Sequence, residues 1–161
     1  MGRSPKTNAA RLLDAAGIAY EMRTYDLTMD EFSATAVADA IGLPPKMVFK
    51  TLVALVEGIG PCFAVVPGDR ELDLKAFAAA AGGRRAAMAP LKDVQRLTGY
   101  VRGAVTVLGA KKVFPVILDA RAADVDTMAV SSGARSMQLV LGRLDYIEMT
   151  NAITAPIARP S

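Results

Sequence analysis

Apolar side chains run from Met47 to Val56 with one charge among them, Lys50. Large and β-branched residues dominate the run and turn residues bound it, which predicts a strand buried on at least one face over residues 47–56. Residues 61–66 repeat the pattern after Glu57-Gly58-Ile59-Gly60, so the two runs predict a β-hairpin with Lys50 inside a sheet. Before them, residues 7–16 read as a helix with Leu12, Leu13 and Ala16 on one face and Gly17 as its stop. Residues 19–24 alternate Tyr20 and Met22 with Glu21 and Arg23, the pattern of a half-buried strand. A polar loop with Asp26, Asp30 and Glu31 leads to Ser33, which caps a helix ending at Ile41 before Gly42 and Pro44-Pro45.

The second half alternates in the same way. Asp73 caps an alanine-rich helix over residues 74–81, Gly82-Gly83 ends it, and residues 84–88 are extended. Pro90 opens a helix to Leu97. Residues 113–118 and 128–130 read as buried strands, and the turn Ser131-Ser132-Gly133-Ala134-Arg135 leads into a strand over 137–141. A last helix near 144–149 and a tail broken by Pro156 and Pro160 complete the chain. The expected class is α/β in the broad sense, mixed α+β, with a curled, barrel-like mixed sheet surrounded by helices.

Composition narrows the functional classes. With 161 residues, 52% hydrophobic and 22% charged, the chain is expected to form one globular domain, 1–161. The longest stretch without charge, residues 58–68, is too short to span a bilayer, and Met1-Gly2-Arg3-Ser4-Pro5-Lys6 lacks an apolar signal core, so a cytoplasmic location is expected. There is no histidine and a single cysteine, Cys62. Ser-His-Asp and Cys-His catalysis and the usual zinc sites are thereby excluded, and no cofactor is expected. Cys62 lies in an apolar strand with no cationic neighbour in sequence, which makes it a core residue. A net charge of +3 permits an anionic partner without requiring one.

Lys50 is the candidate for chemistry, because an unpartnered ammonium in an apolar strand costs several kcal/mol. Either its stem lies along the sheet with the head in water, or the amine points into a polar cavity toward an anion. Gly99, Gly103 and Gly109 punctuate a segment that either connects helix to strand or brings backbone N–H groups to a cavity, as an oxyanion or phosphate site requires. The Ser131-Ser132-Gly133 turn offers hydroxyls and N–H groups, or is a plain hairpin turn.

Five short blocks in this order, Val48-Phe49-Lys50-Thr51-Leu52, Leu72-Asp73-Leu74-Lys75, Thr98-Gly99-Tyr100-Val101-Arg102-Gly103, Leu108-Gly109 with Lys111-Lys112, and Val130-Ser131 with Gly133 and Arg135, resemble the YbaK/EbsC family of aminoacyl-tRNA deacylases. That family is related to the editing domain of bacterial prolyl-tRNA synthetases. The resemblance implies a barrel-like sheet with surrounding helices and a catalytic role for Lys50, Gly103 and Ser131. It also implies a substrate cleft lined by Tyr20, Thr51, Gly99, Tyr100, Arg102, Val107, Gly133 and Arg135. The implied partners are the 3′ acceptor end of an aminoacyl-tRNA and prolyl-tRNA synthetase. Two positions depart from the family: Val107 stands where a glycine-three-residues-proline loop has its proline, and Gln138 where an aspartate is common. Both bear on amino-acid specificity more than on activity.

An aminoacyl ester is already activated, so holding it and stabilising its oxyanion suffices without a triad. The resemblance implies cysteine on proline tRNA as substrate, with the substrate's thiol attacking its own ester carbonyl. Lys50 would act as a cationic donor to the 3′-terminal nucleotide or the ester oxygens. Arg84, Arg85, Arg102, Lys111, Lys112 and Arg135 are available for phosphate contacts. The alternatives are a module that binds the tRNA 3′ end or a nucleotide without hydrolysis, and a deacylase for another small amino acid such as alanine.

Overall fold

A computed structural model describes residues 6–28 and 31–161. The first five residues of the segment tested for a signal core, and Asp30 of the polar loop, lie outside that range. The long apolar run forms strand β2 (Phe49–Val56), entered through a single 3-10 turn at Pro45–Met47. It pairs antiparallel with β3 (Gly60–Pro67), from Phe49 opposite Pro67 to Val56 opposite Gly60, so the expected hairpin is present. Pro61 and Pro67 both sit where the β3 backbone turns away from β2, so neither proline removes a donor from the hairpin ladder.

The hairpin is the centre of a five-stranded sheet. On one side β5 (Ala86–Met88) covers only the far end of β2, opposite Ala54 to Val56. On the other side β6 (Val116–Asp119) runs parallel to β3, and β9 (Ile153–Ala155) runs parallel to β6. A second, antiparallel sheet has the order β1 (Tyr20–Thr24), β8 (Met137–Gly142), β7 (Thr127–Ser131). A small third sheet pairs β4 (Arg70–Leu72) with β10 (Ala158–Pro160).

The expected barrel is not formed. Among the described residues all three sheets are open, and the first two are joined by a single parallel bridge between Val48 and Ala129. Strand β7 ends at Ser131, just past that bridge, so no ladder closes the gap and the two sheets splay apart.

The two faces of β2 are buried in different places, which is why its apolar run is nearly continuous. Phe49 and Val53 join Phe63, Val65, Leu118, Met128, Val130 and Leu139 in one core cluster, while Ala54 and Val56 join Cys62, Ala64, Val66, Phe77 and Ile157 in another. Among the described residues five helices surround the sheets: α1 (Asn8–Ala15), α2 (Ala34–Ile41), α3 (Leu74–Ala81), α4 (Leu91–Thr98) and α5 (Arg143–Thr150). The caps read from the sequence are in place: Ser33 Oγ accepts from Ala36 N at 3.0 Å and Asp73 Oδ1 accepts from Ala76 N at 3.0 Å.

Three local readings are corrected. Met22 is 43% exposed, because β1 is an edge strand. Val113 is fully exposed and precedes β6. The proline-broken tail supplies β9 and β10, held by a long-range contact: buried Asp119 accepts through Oδ1 from Ile157 N at 2.9 Å and Ala158 N at 3.0 Å.

Candidate functional site

Where β2 and β7 part beyond the Val48–Ala129 bridge, a pocket of about 420 Å³ opens. Val48 and residues 49–53 of β2 form one wall, and Arg102, Gly103, Val105, Ser131 and Gln138 stand across from it. Phe32 to Thr35 at the start of α2 close one end, and Met88, Ala89, Leu91 and Val94 the other. Lys50, Gly103 and Ser131, expected on sequence grounds to act together, are thus brought to one cavity from three distant segments. Thr51 and Arg102 line it as well.

Lys50 is half-buried, and among the described residues it makes no ion pair. Burial draws its pKa below that of an ordinary lysine, and the charges of Glu71 and Asp69 partly oppose the change. Lys50 thus lines the cavity without an ion pair among the described residues, an arrangement that suits an anionic or strongly dipolar group there.

Gly103 has φ +87°, a conformation that a side chain would strain, and an added Cβ would lie 3.7 Å from both Phe32 Cζ and Arg135 Nε. Ser131 fixes this loop from the opposite side. Its hydroxyl donates to the Ala104 carbonyl at 2.8 Å and accepts from Gly133 N at 3.2 Å. With its proton on a backbone carbonyl and no base nearby, Ser131 holds the Gly103 loop in position and is not arranged as a nucleophile. Gln138 faces Ser131 across the β7–β8 ladder, 5% exposed, with its side-chain oxygen unpartnered among the described residues.

Six expected substrate contacts do not line the pocket. Tyr20 donates to Asp14 Oδ1 at 2.9 Å on the outer surface, beside Lys6. Tyr100 is buried, donates to the Leu108 carbonyl at 2.8 Å, and packs so closely on Gly133 that an added Cβ there would lie 2.6 Å from its ring. Both that ring and a φ of +92° call for glycine at position 133. Gly99 is the left-handed cap of α4, and Val107 packs against the main core. Arg135 is exposed and donates from Nε to the Arg102 carbonyl at 3.0 Å, bracing the Gly103 loop from outside. Among them, Tyr100, Gly133 and Arg135 pack or bond against the turn and loop that border the pocket.

Sequence reasoning missed the start of α2, with Phe32 and Ser33, and the apolar end with Met88, Leu91 and Val94. Only the Ser33 cap had a local signal. Among the described residues no group of His, Cys, Asp and Glu could hold a metal ion, and no helix is long and apolar enough to cross a membrane.

Residues 28–149 match the family model of the aminoacyl-tRNA editing domain. The chain is 38% identical over 152 residues, 94% of its length and 93% of the relative's, to the Enterococcus faecalis protein named "Putative Cys-tRNA(Pro)/Cys-tRNA(Cys) deacylase EbsC". It is 28% identical over 118 residues, 71% of each chain, to the "Multifunctional Ser/Thr-tRNA deacylase ProXp-y" of Escherichia coli K12. Among solved structures, one described as "a putative trans-editing enzyme for prolyl tRNA synthetase" superposes with a TM-score of 0.83 at 23% identity, covering 98% of this chain and 99% of the other. A protein described as hypothetical superposes with a TM-score of 0.84 at 20% identity, covering 94% of this chain and 99% of the other.

Proposed function

We propose, for a chain that belongs to the aminoacyl-tRNA editing domain family, that its substrate is cysteine misattached to proline tRNA, removed by Lys50 and the Gly103 loop. The chain is a trans-editing aminoacyl-tRNA deacylase. The choice of amino acid and tRNA, the roles of individual residues, the sufficiency of a single domain and any association with prolyl-tRNA synthetase belong to the proposal.

One observation carries it: Lys50, Gly103 and Ser131 line the same small pocket, and the cation there is half-buried without a partner among the described residues. The Lys50 ammonium holds the ester oxygens or the terminal ribose-phosphate, and Gly103 lets backbone approach the acyl group. The substrate thiol then attacks its own acyl carbon. A C–S bond forms, the ester C–O bond breaks, the thiol proton passes to the departing tRNA 3′-oxygen, and water opens the resulting thiolactone. No histidine or enzyme nucleophile is needed.

A second reading, a serine or threonine ester, is favoured by Gln138, whose unpartnered buried amide can accept from a substrate hydroxyl. Single-turnover hydrolysis of Cys-, Ser-, Ala- and S-methyl-Cys-tRNA(Pro) separates these. Hydrolysis of the cysteine ester alone supports the thiol route, rapid hydrolysis of the serine ester establishes the second reading, and binding without hydrolysis of any ester would reduce the protein to a 3′-end binding module.

A further inference from the structure

Five consecutive residues of β2, 49–53, and Val48 just before it line the pocket. A strand that turned a face to it would contribute every second residue, so an unbroken run means that β2 presents its edge. The pairing of the ladder says which main-chain groups point outward. Ala89 N donates to the Val53 carbonyl at 3.0 Å and Glu57 N donates to the Arg85 carbonyl at 2.9 Å, which sets the odd-numbered residues of β2 toward the β5 side. The Val48 carbonyl accepts from Gly68 N on the β3 side, the opposite parity. Cover from β5 stops at Val53, and the bridge to Ala129 covers the other end at Val48. Between them Thr51 turns both its N–H and its C=O into the pocket, and among the described residues no strand lies against them. Its hydroxyl is not part of this display, since Oγ1 is buried on the face shared with Phe49 and Val53.

A hydrogen-bonded antiparallel pair is satisfied by one residue, which exchanges its own N–H and its own C=O with its partner. An aminoacyl ester carries the same frame: α-ammonium, α-carbon, acyl carbonyl. We propose that the Thr51 main chain pairs with the aminoacyl group as a one-residue strand, its carbonyl accepting from the α-ammonium and its N–H donating to the acyl oxygen. This deepens the deacylase reading and rests on it. Directly paired residues of an antiparallel ladder send their side chains to the same face. An L-aminoacyl group therefore places its side chain on the Thr51 side, where Phe49, Val53, Val94 and Val105 all line the pocket and pack in one core cluster. A D-aminoacyl group would send it to the face of Lys50 and Leu52. The edge is thus an anchor and a reader of chirality, for a side chain that is small and weakly polar.

The test uses three non-hydrolysable probes with an amide in place of the ester: 3′-deoxy-3′-amino-adenosine acylated with L-cysteine, with D-cysteine, or with 3-mercaptopropionate, which lacks the α-amine. The L-cysteinyl probe is expected to bind about tenfold or more tightly than either other probe, the scale of one good hydrogen bond to a charged group. Replacing Thr51 by its α-hydroxy acid, which removes the N–H and makes the preceding Lys50 carbonyl a weaker acceptor, should weaken the L-cysteinyl probe by a similar factor while the domain stays folded. Equal affinity for the three, or no binding of any, overturns the inference, whatever the backbone variant does. Chiral binding without hydrolysis of any aminoacyl-tRNA would leave the edge standing and remove the deacylase reading; hydrolysis without chiral preference would do the reverse.

Discussion

The hydroxyl of Ser131 donates to the Ala104 carbonyl at 2.8 Å, joining the end of β7 to the loop that carries Gly103. This bond sets the far wall of the pocket. Ser131→Ala should lower kcat/KM by about threefold to tenfold, the net worth of one neutral hydrogen bond, and Ser131→Thr should restore most of it. A complete loss of turnover in the alanine variant with its fold intact would instead make Ser131 a direct participant.

Lys50 opposes function and stability. Lys50→Met should reduce deacylation about tenfold or more, about 1.4 kcal/mol of transition-state binding. The same variant should melt at a higher temperature, because burial disfavours the ammonium. A lower melting temperature would mean that attraction to Glu71 and Asp69 outweighs burial, and wild-type activity would remove the residue from the reaction.

The pH dependence follows in sign. The folded pKa of Lys50 lies below its ordinary value of 10.5, so on raising the pH the folded protein releases this proton before the unfolded chain does. In that window the unfolded state holds more protons and stability rises with pH. Activity that needs the ammonium falls over the same window. The expected measurement is a decline of kcat/KM at pH below 10.5 that Lys50→Arg shifts upward, alongside a stability gap to Lys50→Met that narrows as the pH rises. Superimposable profiles for wild type and the arginine variant would assign the alkaline limb to another group.

Cys62 is fully buried, and burial raises its pKa, so it is neither exposed nor nucleophilic at neutral pH. Cys62→Ala should keep full single-turnover activity while losing about 1 kcal/mol of stability to the cavity left behind. Loss of activity on alkylation of the folded wild type, absent in the variant, would reopen a covalent thioester route.

Asp119 is 1% exposed, accepts from the backbone N–H groups of Ile157, Ala158 and Arg121, and holds β9 and β10 against the sheets. Asp119→Ala should cost about 2–4 kcal/mol, because the two tail N–H groups lose their acceptor. Limited proteolysis should then begin within residues 153–160. Unchanged thermal stability would show that the tail docks through its apolar contacts, chiefly Ile157.

Much of this was legible in local chemistry. Ser33, Asp73 and Pro90 mark helix starts because capping is decided within one turn, and the β2–β3 hairpin follows from two apolar runs and a glycine turn. Lys50 was legible for the opposite reason, as a charge that contradicts its surroundings. The opening between the sheets was not, because it depends on β7 stopping beside β2, a relation between residues far apart in the chain. Tyr100 and Gly133 were expected in the cleft and instead pack on each other outside the pocket lining: the order of short blocks marks a region without fixing which of its side chains face the cavity. The tail misled for the reason Met22 did, since pairing partners, and so edges, are not written in a strand's own residues.

Strand β1 pairs with β8, Tyr20 opposite Leu141, and β4 pairs with β10, Leu72 opposite Ala158. During synthesis both early strands are made long before their partners, so neither sheet can be finished when its first strand appears. The wall that holds Lys50 can form early as a hairpin, whereas Ser131 and Gln138 reach it only after β7 and β8 have been made. Competence to bind substrate therefore arrives late and abruptly, with the docking of the last strands, and refolding should be slow in the manner of chains whose contacts are distant in sequence.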